Sequence, residues 1–453
     1  MTTHSPEVKQ PVALLRVFAQ VDRGELARVT WSFLFFFTLL GGYFMLRPVR
    51  DAVAVANGVN NIPWLFTATL AVMLLLTPVY GWVVARFPRR VFLPVVYIFF
   101  IVNLLLFYAL FELQVAPQAV TRIFFVWLSV FNLFVVSVFW SFMVDIYNSS
   151  QARRLFGLIA AGGSLGAILG PLLTATLAEL IGVPNLLLGA TVMISLATVS
   201  IFILRRHSRE EDPAQQVEDR EIMGGSILEG ALRVVSSRYL LMICGLMLLH
   251  NTSATFLYNL RAHTVAAASD DFVRYTEIFG WVDFSVNIVA LLLQAMITIR
   301  LVRRFGMAQT LMAVPLILLL GFSAIGLMPA LLLILTVQVA QRSMNYGILG
   351  PTKEMLFAPV DREIKYKSKN FIDTVVYRGS DTVSIWLFRA LHGSGWSLSA
   401  LAWLLLPFIV IWAWLVWRLG HHYQSLHEAS LDLEHTSHPG RSDEPAPDTD
   451  KGG

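Results

Sequence analysis

Twelve long apolar stretches constrain this chain more than any other feature, because a helix crosses the hydrocarbon of a bilayer in about 20 residues. In a window of about 19 residues they fall near 29–46, 62–85, 91–111, 120–144, 155–181 and 185–204, and then near 238–260, 274–299, 309–328, 330–350, 371–391 and 396–417. Inside a membrane every backbone N–H and C=O must be satisfied within its own segment, so stretches of this length fold as helices. Composition agrees, with 56% of the 453 residues hydrophobic and 14% charged, against about 25% charged in soluble domains. That balance excludes a water-soluble globular enzyme. It also excludes a transmembrane β-barrel, whose strands alternate at period two, and a disordered chain, which would be rich in charge and poor in aromatics. The expected fold is an all-α integral membrane protein of twelve transmembrane helices. Cys244 is the one cysteine and allows no internal disulfide.

The placement of charge gives orientation and organisation. Alternate connections hold 26 of the 34 Lys and Arg residues, which puts them and both termini on the cytoplasmic side of a bacterial inner membrane. The expected organisation is a cytoplasmic N-terminal segment over 1–28, a six-helix half over 29–204, a cytoplasmic linker over 205–237 with the polar run RRHSREEDPAQQVEDRE, a second six-helix half over 238–418, and a disordered cytoplasmic tail over 419–453. The halves repeat weakly. GWVVARFPRR (Gly81 to Arg90) follows the second span and IRLVRRFG (Ile299 to Gly306) the eighth, each a helix end with a tight basic turn. Two related six-helix halves are the pattern of an alternating-access transporter with its site at the midplane between them.

A charge inside a span costs about 2.5 to 3.5 kcal/mol at a helix centre, so each one must be paired, hydrated or used. In LRPVRDAVAVANG, Arg47, Arg50 and Asp51 are expected to end the first helix at Pro48, with the arginines gripping an anion and Asp51 holding one of them. The competing reading is a stabilising charge network at the helix mouth. Arg342, Arg378 and Arg389 fall inside the tenth and eleventh spans, with Glu354, Asp373 and Asp381 as expected partners. Arg378 and Asp381, three apart, also suit an intrahelical pair. Asp145, Glu277 and Asp283 are candidate proton carriers or gates, Asp145 alternatively pairing with Arg153 or Arg154. His250, Asn251, Thr252, Ser253, Tyr258 and Asn259 make the seventh span polar and suit a cavity wall. Trp140, Trp281 and Tyr346 are candidates to stack on a planar ring. Gly162, Gly166 and Gly170 lie four apart along one stripe, where another helix can approach closely. No metal-ligand spacing, P-loop, nucleophile elbow or dinucleotide fingerprint is present, so no cofactor, metal or nucleic-acid partner is expected.

Two resemblances join these residues. The turn after the second span resembles the Gly-x-x-x-Asp-Arg-x-x-Arg-Arg signature of the major facilitator superfamily, with Ala85 in place of the acid, and Gly166 to Pro171 resembles a signature of facilitator-type antiporters. The run YGILGPTKEMLFAPVDREIKYKSKNFIDTVVYRG (Tyr346 to Gly379) is similar to the most characteristic stretch of the nonmitochondrial ATP/ADP translocases, at Thr352, Lys353, Glu354, Met355, Pro359, Lys365, Lys367, Lys369 and Asp373. LRPVRD, Phe139–Trp140 with LFGLIAAGG, and YTEIFGWVDFS near Glu277 resemble that family's first, fourth, fifth and eighth helices. Arg50 stands where the family has a lysine, Leu128 where an acid is expected, and Asp381 where the eleventh helix carries a lysine. The resemblance implies a divergent bacterial branch of major-facilitator type, exchanging NTP for NDP or carrying a related anionic metabolite.

On that reading the substrate-binding residues are Arg47, Arg50, Asp51, Arg342, Tyr346, Lys353, Glu354 and Arg378, and the coupling or gating residues are Asp145, Glu277, Asp283, Asp373 and Asp381. The expected partners are a small anionic substrate and membrane lipid, and protein partners are not legible. Two alternatives stay open: proton-coupled transport of a different solute through Glu277 or Asp283, and a membrane receptor or scaffold that transports nothing.

Overall fold

The computed structural model describes residues 21–22, 24–86, 89–208, 227–357, 360 and 362–437. Most of the expected N-terminal segment, the linker core over 209–226, Pro359, Asp361 and the tail beyond 437 lie outside the described residues. Among the described residues the fold is all helix. The first half comprises α1 (Leu26–Ala56), α2 (Ile62–Arg86), α3 (Arg89–Glu112), α4 (Pro117–Ile146), α5 (Ser149–Ile181) and α6 (Val183–Ser208). A short helix, α7 (Ile227–Ser236), leads into α8 (Arg238–Ala268) and α9 (Phe272–Leu292, continued by a π turn at Leu293–Thr298). The second half closes with α10 (Ile299–Leu327), α11 (331–356), α12 (362–393) and α13 (Leu398–Ser437).

Ten of these helices are long and apolar enough to cross a membrane. Of the other three, α7 is only 10 residues long, while α11 and α12, counted with the ten, give the expected twelve crossings. Both are interrupted by π turns, at Asn345–Leu349 and Ile372–Val376, the second of which carries Asp373. Within α10 the helical path breaks at Gly306, whose φ of 83° is a left-handed value that a side chain would strain.

Three expectations are corrected. Helix α1 does not end at Pro48 but runs on to Ala56, so Arg47, Arg50 and Asp51 lie within the helix. Proline removes one donor from the ladder, and in hydrocarbon no water competes for the carbonyls left around it. Thr174 Oγ1 on α5 also donates to Met45 O at 2.6 Å, within the turn that precedes Pro48. The eleventh crossing does not begin near 371, because the chain is already helical from Arg362, the first turns of α12, with α7 packed against them. The last helix continues to Ser437, well past residue 419, where the expected tail begins.

In the first half α1 is the central element, packed tightly on α5 and α6. The glycine stripe is what permits it. A Cβ at Gly166 would sit 2.2 Å from the Phe37 carbonyl oxygen and one at Gly170 2.4 Å from that of Gly41, so only glycine lets the two backbones approach. Buried aromatics fill the remaining space, including Phe36 stacked on Phe139 at 4.0 Å. The second half has its own apolar core, with Leu246, Phe322, Phe388 and Trp412 fully buried.

Candidate functional site

The basic turns, with Arg86, Arg154, Lys353 and Lys369, mark one end of the bundle. A cavity of about 810 Å³ lies between the halves toward that end. Its first-half wall is mostly apolar, including Phe36, Phe44 and Met73; its second-half wall carries Asn287, Gln294, Tyr346, Lys353, Asp373 and Arg378. All three π turns stand on this second side. Each adds a residue to a helical turn and so re-aims side chains and frees carbonyls, a device common at functional sites. The turns of α9 and α11 are tied together: Gln294 Nε2 donates to Tyr346 O at 2.8 Å, and Gly347 leaves room for Leu293, where a Cβ would approach to 2.7 Å.

Toward the opposite end the halves are closed. Trp386 Nε1 on α12 donates to Thr67 Oγ1 on α2 at 2.9 Å, with Trp64 edge-on to Trp386 at 5.0 Å. Phe66 meets Tyr258 at 5.5 Å, and Gly280 of α9 packs directly on Ala175 of α5.

Between the cavity and this seal lie two layers of buried charge. In the deeper layer the Asp51 carboxylate receives Arg50 NH2 at 2.7 Å on one oxygen and Arg261 NH2 at 2.8 Å on the other. Arg261 comes from α8, in the other half. It is 1% exposed and lies over the rings of Phe279 at 4.3 Å and Tyr258 at 4.8 Å. The layer nearer the cavity is centred on Asp283 of α9, which is fully buried and pairs with Arg342 of α11. Arg47 of α1 approaches the same carboxylate from the first half, with Nε 3.6 Å from Oδ2, and donates through NH1 to the Tyr346 hydroxyl at 3.2 Å. Four arginines thus face two aspartates, an excess of two positive charges. Buried charge is tolerated only where pairing offsets desolvation, and here the pairs also bridge the halves.

The sequence-selected residues divide accordingly. Tyr346, Lys353, Asp373 and Arg378 line the cavity. Lys353 pairs with Asp373 at 2.8 Å across the breaks in α11 and α12, while Glu354 is exposed and holds Lys369 at 2.6 Å. Arg47, Arg50, Asp51, Arg342 and Asp283 lie in the charged layers behind the cavity floor. The expected partners of Arg342 are replaced by Asp283, a residue 59 positions away on a different helix. Asp381 is held by Thr255 Oγ1 of α8 at 2.8 Å rather than by its helical neighbour Arg378, which lies over the Tyr377 ring. Arg389 lies over the ring of Trp386. Glu277 is not at mid-depth. It pairs with Arg274 at 3.0 Å one turn into α9, near the sealed end. Asp145 is exposed at the basic end of α4, and Arg154 holds Glu25 at 2.8 Å and Asp22 at 3.2 Å.

The polar face of α8 is a seam rather than a cavity wall. Asn251 Nδ2 donates to Tyr377 O at 2.6 Å and to Ser380 Oγ at 2.9 Å, and Ser384 Oγ donates to Thr252 Oγ1 at 3.0 Å. Trp140 is core, edge-on to Phe36 at 5.4 Å, and Trp281 faces outward, 48% exposed. Of the three candidate stacking aromatics only Tyr346 reaches the cavity. Sequence reasoning missed Arg261, because the hydropathy window closes at residue 260 while α8 runs eight residues further.

Comparison with known proteins places these features in a family. Residues 29–352 match the model of the Major Facilitator Superfamily. The chain is similar to ADP,ATP carrier protein 2 of Chlamydia pneumoniae, 22% identical with 93% of each chain covered, and to ADP,ATP carrier protein 1 of Chlamydia muridarum, 23% identical with 82% of this chain and 83% of the relative covered. Among solved structures it resembles a bacterial homologue of the iron transporter ferroportin in an inward-facing state, with TM-score 0.61, 13% identity, and 90% of this chain and all of that one covered. It also resembles a POT family transporter in complex with a thioalcohol-conjugated peptide, with TM-score 0.62, 10% identity, and 90% and 99% covered.

Proposed function

This chain belongs to the Major Facilitator Superfamily, and on that premise we propose that it is a secondary transporter exchanging nucleotides, ATP for ADP or another NTP for NDP, by alternating access. The observation that carries the reading is the cavity between the halves, rimmed by Lys353 and Arg378 and floored by a charge cluster with more arginine than aspartate. A nucleotide is a polyanion with a flat aromatic base. The cavity offers guanidinium and ammonium donors for the phosphates and Tyr346, Tyr377 and Phe44 for the base. The carrier names of the chlamydial relatives supply the substrate class.

With the basic turns cytoplasmic, this conformation faces inward in a bacterial inner membrane with both termini inside. The cavity is then open to the cytoplasm and the Trp386–Thr67 contact forms the outer seal. The proton-coupled alternative draws little support from the geometry. Asp283 is paired with Arg342 and approached by Arg47, and Glu277 sits in an intrahelical pair near the sealed end.

The test is exchange in proteoliposomes. Vesicles preloaded with ADP should take up labelled ATP at least about tenfold faster than empty vesicles, a difference of about 1.4 kcal/mol in barrier height. Equal uptake with and without internal nucleotide, or uptake driven by an acid exterior alone, would reject exchange.

A further inference from the structure

We propose that Arg47 and Arg342 form an interior subsite for a phosphoryl group, and that the Asp283 carboxylate fills it in the empty carrier as an internal stand-in for the substrate. The inference rests on the anion-exchange reading above and adds to it where the anion ends up and what it must displace.

The argument begins with an imbalance of donors and acceptors. A guanidinium has five N–H donors and satisfies them most fully against a planar or tetrahedral oxyanion. Among the described residues, Arg47 Nε and both Nε and NH2 of Arg342 are buried without a hydrogen-bond partner, and Asp283 Oδ2 accepts no hydrogen bond. Arg342 is 8% exposed and Asp283 fully buried, so water does not make up the deficit. One carboxylate therefore neutralises part of the charge of two guanidiniums and leaves donors idle. A phosphoryl group brings three oxygens and up to two negative charges, and suits the two forks better than the single carboxylate does.

Access comes from one residue that belongs to both places. Tyr346 lines the cavity, and its hydroxyl accepts from Arg47 NH1 at 3.2 Å. It sits in the π turn of α11, where the backbone departs from the regular helix and a side-chain swing is least constrained. A phosphate entering beside Tyr346 meets Arg47 first and Arg342 next.

The geometry also gives the displacement a consequence. Asp283 and Arg342 belong to the second half and Arg47 to the first, so the Asp283–Arg47 approach ties α9 to α1 across the interface. In the empty carrier that tie persists and holds the halves in one state. When a phosphate takes the place of Asp283 on Arg47, the tie passes through the substrate, and the free energy that held the empty carrier is replaced by substrate contacts. A carrier that changes state only with its internal anion displaced exchanges rather than leaks.

The test compares full-length wild type with Asp283→Asn in lipid nanodiscs and proteoliposomes, using ADP, inorganic pyrophosphate and adenosine as probes. Removing the internal competitor should tighten ADP and pyrophosphate binding roughly tenfold or more, since apparent affinity scales with the fraction of sites left open, and should leave adenosine unchanged. The same variant should pass ADP into empty vesicles. Arg47→Gln keeps the Asp283–Arg342 pair neutral and so guards against a folding failure; it should weaken ADP and pyrophosphate by a similar factor and also leak. If wild type exchanges ADP while Asp283→Asn binds pyrophosphate no more tightly, or Arg47→Gln binds it as well as wild type, the subsite is wrong. If wild type neither binds nor exchanges any nucleotide, the exchange reading itself has failed.

Discussion

The two halves follow one six-helix plan and differ in how their helices are built. In the first half every helix runs through without a π turn, and α1 is clamped to α5 by backbone contact at a glycine stripe. In the second half α9, α11 and α12 are each broken by a π turn, and the breaks stand together on one side of the cavity. The contrast teaches a division of labour. Regular helices at backbone contact are stiff, because close-packed seams transmit displacement rather than absorb it. Helices broken at Tyr346 and Asp373, with Lys353 just beyond the first break, can change local geometry without unfolding, so the second half is where substrate contact and conformational change should be felt.

The same substitution at two glycines should break this comparison most sharply. Gly166→Ala drives a methyl group into the Phe37 carbonyl and within 2.8 Å of the Gly41 nitrogen, and the neighbours are backbone. Overpacking of this kind costs about 1–3 kcal/mol or more, so we expect a marked loss of thermal stability and membrane level. Gly379 on α12 has nothing within 4 Å of its would-be Cβ. Gly379→Ala should keep or raise stability by up to about 1 kcal/mol through helix propensity, while slowing exchange by stiffening the segment after the π turn. Thermal unfolding of both variants in detergent, followed by exchange assays, checks the pair. Equal stabilities would mean that the α1–α5 seam is looser than its geometry.

Within the second half, the next effect in size separates Lys353 from Lys365. Lys353 lines the cavity and bridges to Asp373 across two broken helices, so Lys353→Ala should cut ADP exchange by roughly tenfold or more, on the scale of a charge-assisted contact of about 1.5–3 kcal/mol. Lys365 lies on the outer turns of α12 and is absent from the cavity lining. Lys365→Ala should change exchange less than a few-fold. Matched losses at normal membrane levels would turn the segment into one electrostatic funnel with no special place for Lys353.

How much of this was legible in the sequence depends on range. Spans and their number follow from hydropathy, because hydrocarbon imposes the helix on any segment it contains. Most of the interior charges were legible too, Arg261 excepted, since an arginine at depth has no cheap explanation. Their partners were not. Arg342 meets Asp283 and Arg261 meets Asp51 across 59 and 210 residues, distances over which no local pattern carries information. Boundaries failed for a related reason. A hydropathy window stops at a charge, so Arg47, Arg50 and Arg261 read as helix ends, although α1 and α8 are both 31 residues long and hold them inside. The π turns left no trace, because one extra residue per turn barely shifts an apolar pattern.

The smallest expected effect comes from comparing two arginines of the second half. Arg261 and Arg274 each pair with an acid at 2.8 and 3.0 Å, yet their surroundings differ completely. The Arg261 side chain is 1% exposed and links the halves through Asp51, whereas that of Arg274 is 62% exposed and pairs with Glu277 on its own helix. An exposed i,i+3 pair is worth about 0.2–0.5 kcal/mol, because solvent screens the attraction and two flexible side chains lose freedom in making it. Arg274→Gln should therefore leave thermal stability within that margin and ADP exchange within about twofold. Added salt should narrow even that difference, since exposed pairs are screened over a Debye length of about 10 Å at 0.1 M. A large loss in Arg274→Gln, undiminished by salt, would mean that Glu277 acts on the transport cycle from the sealed end and that the division between interior and mouth is drawn in the wrong place.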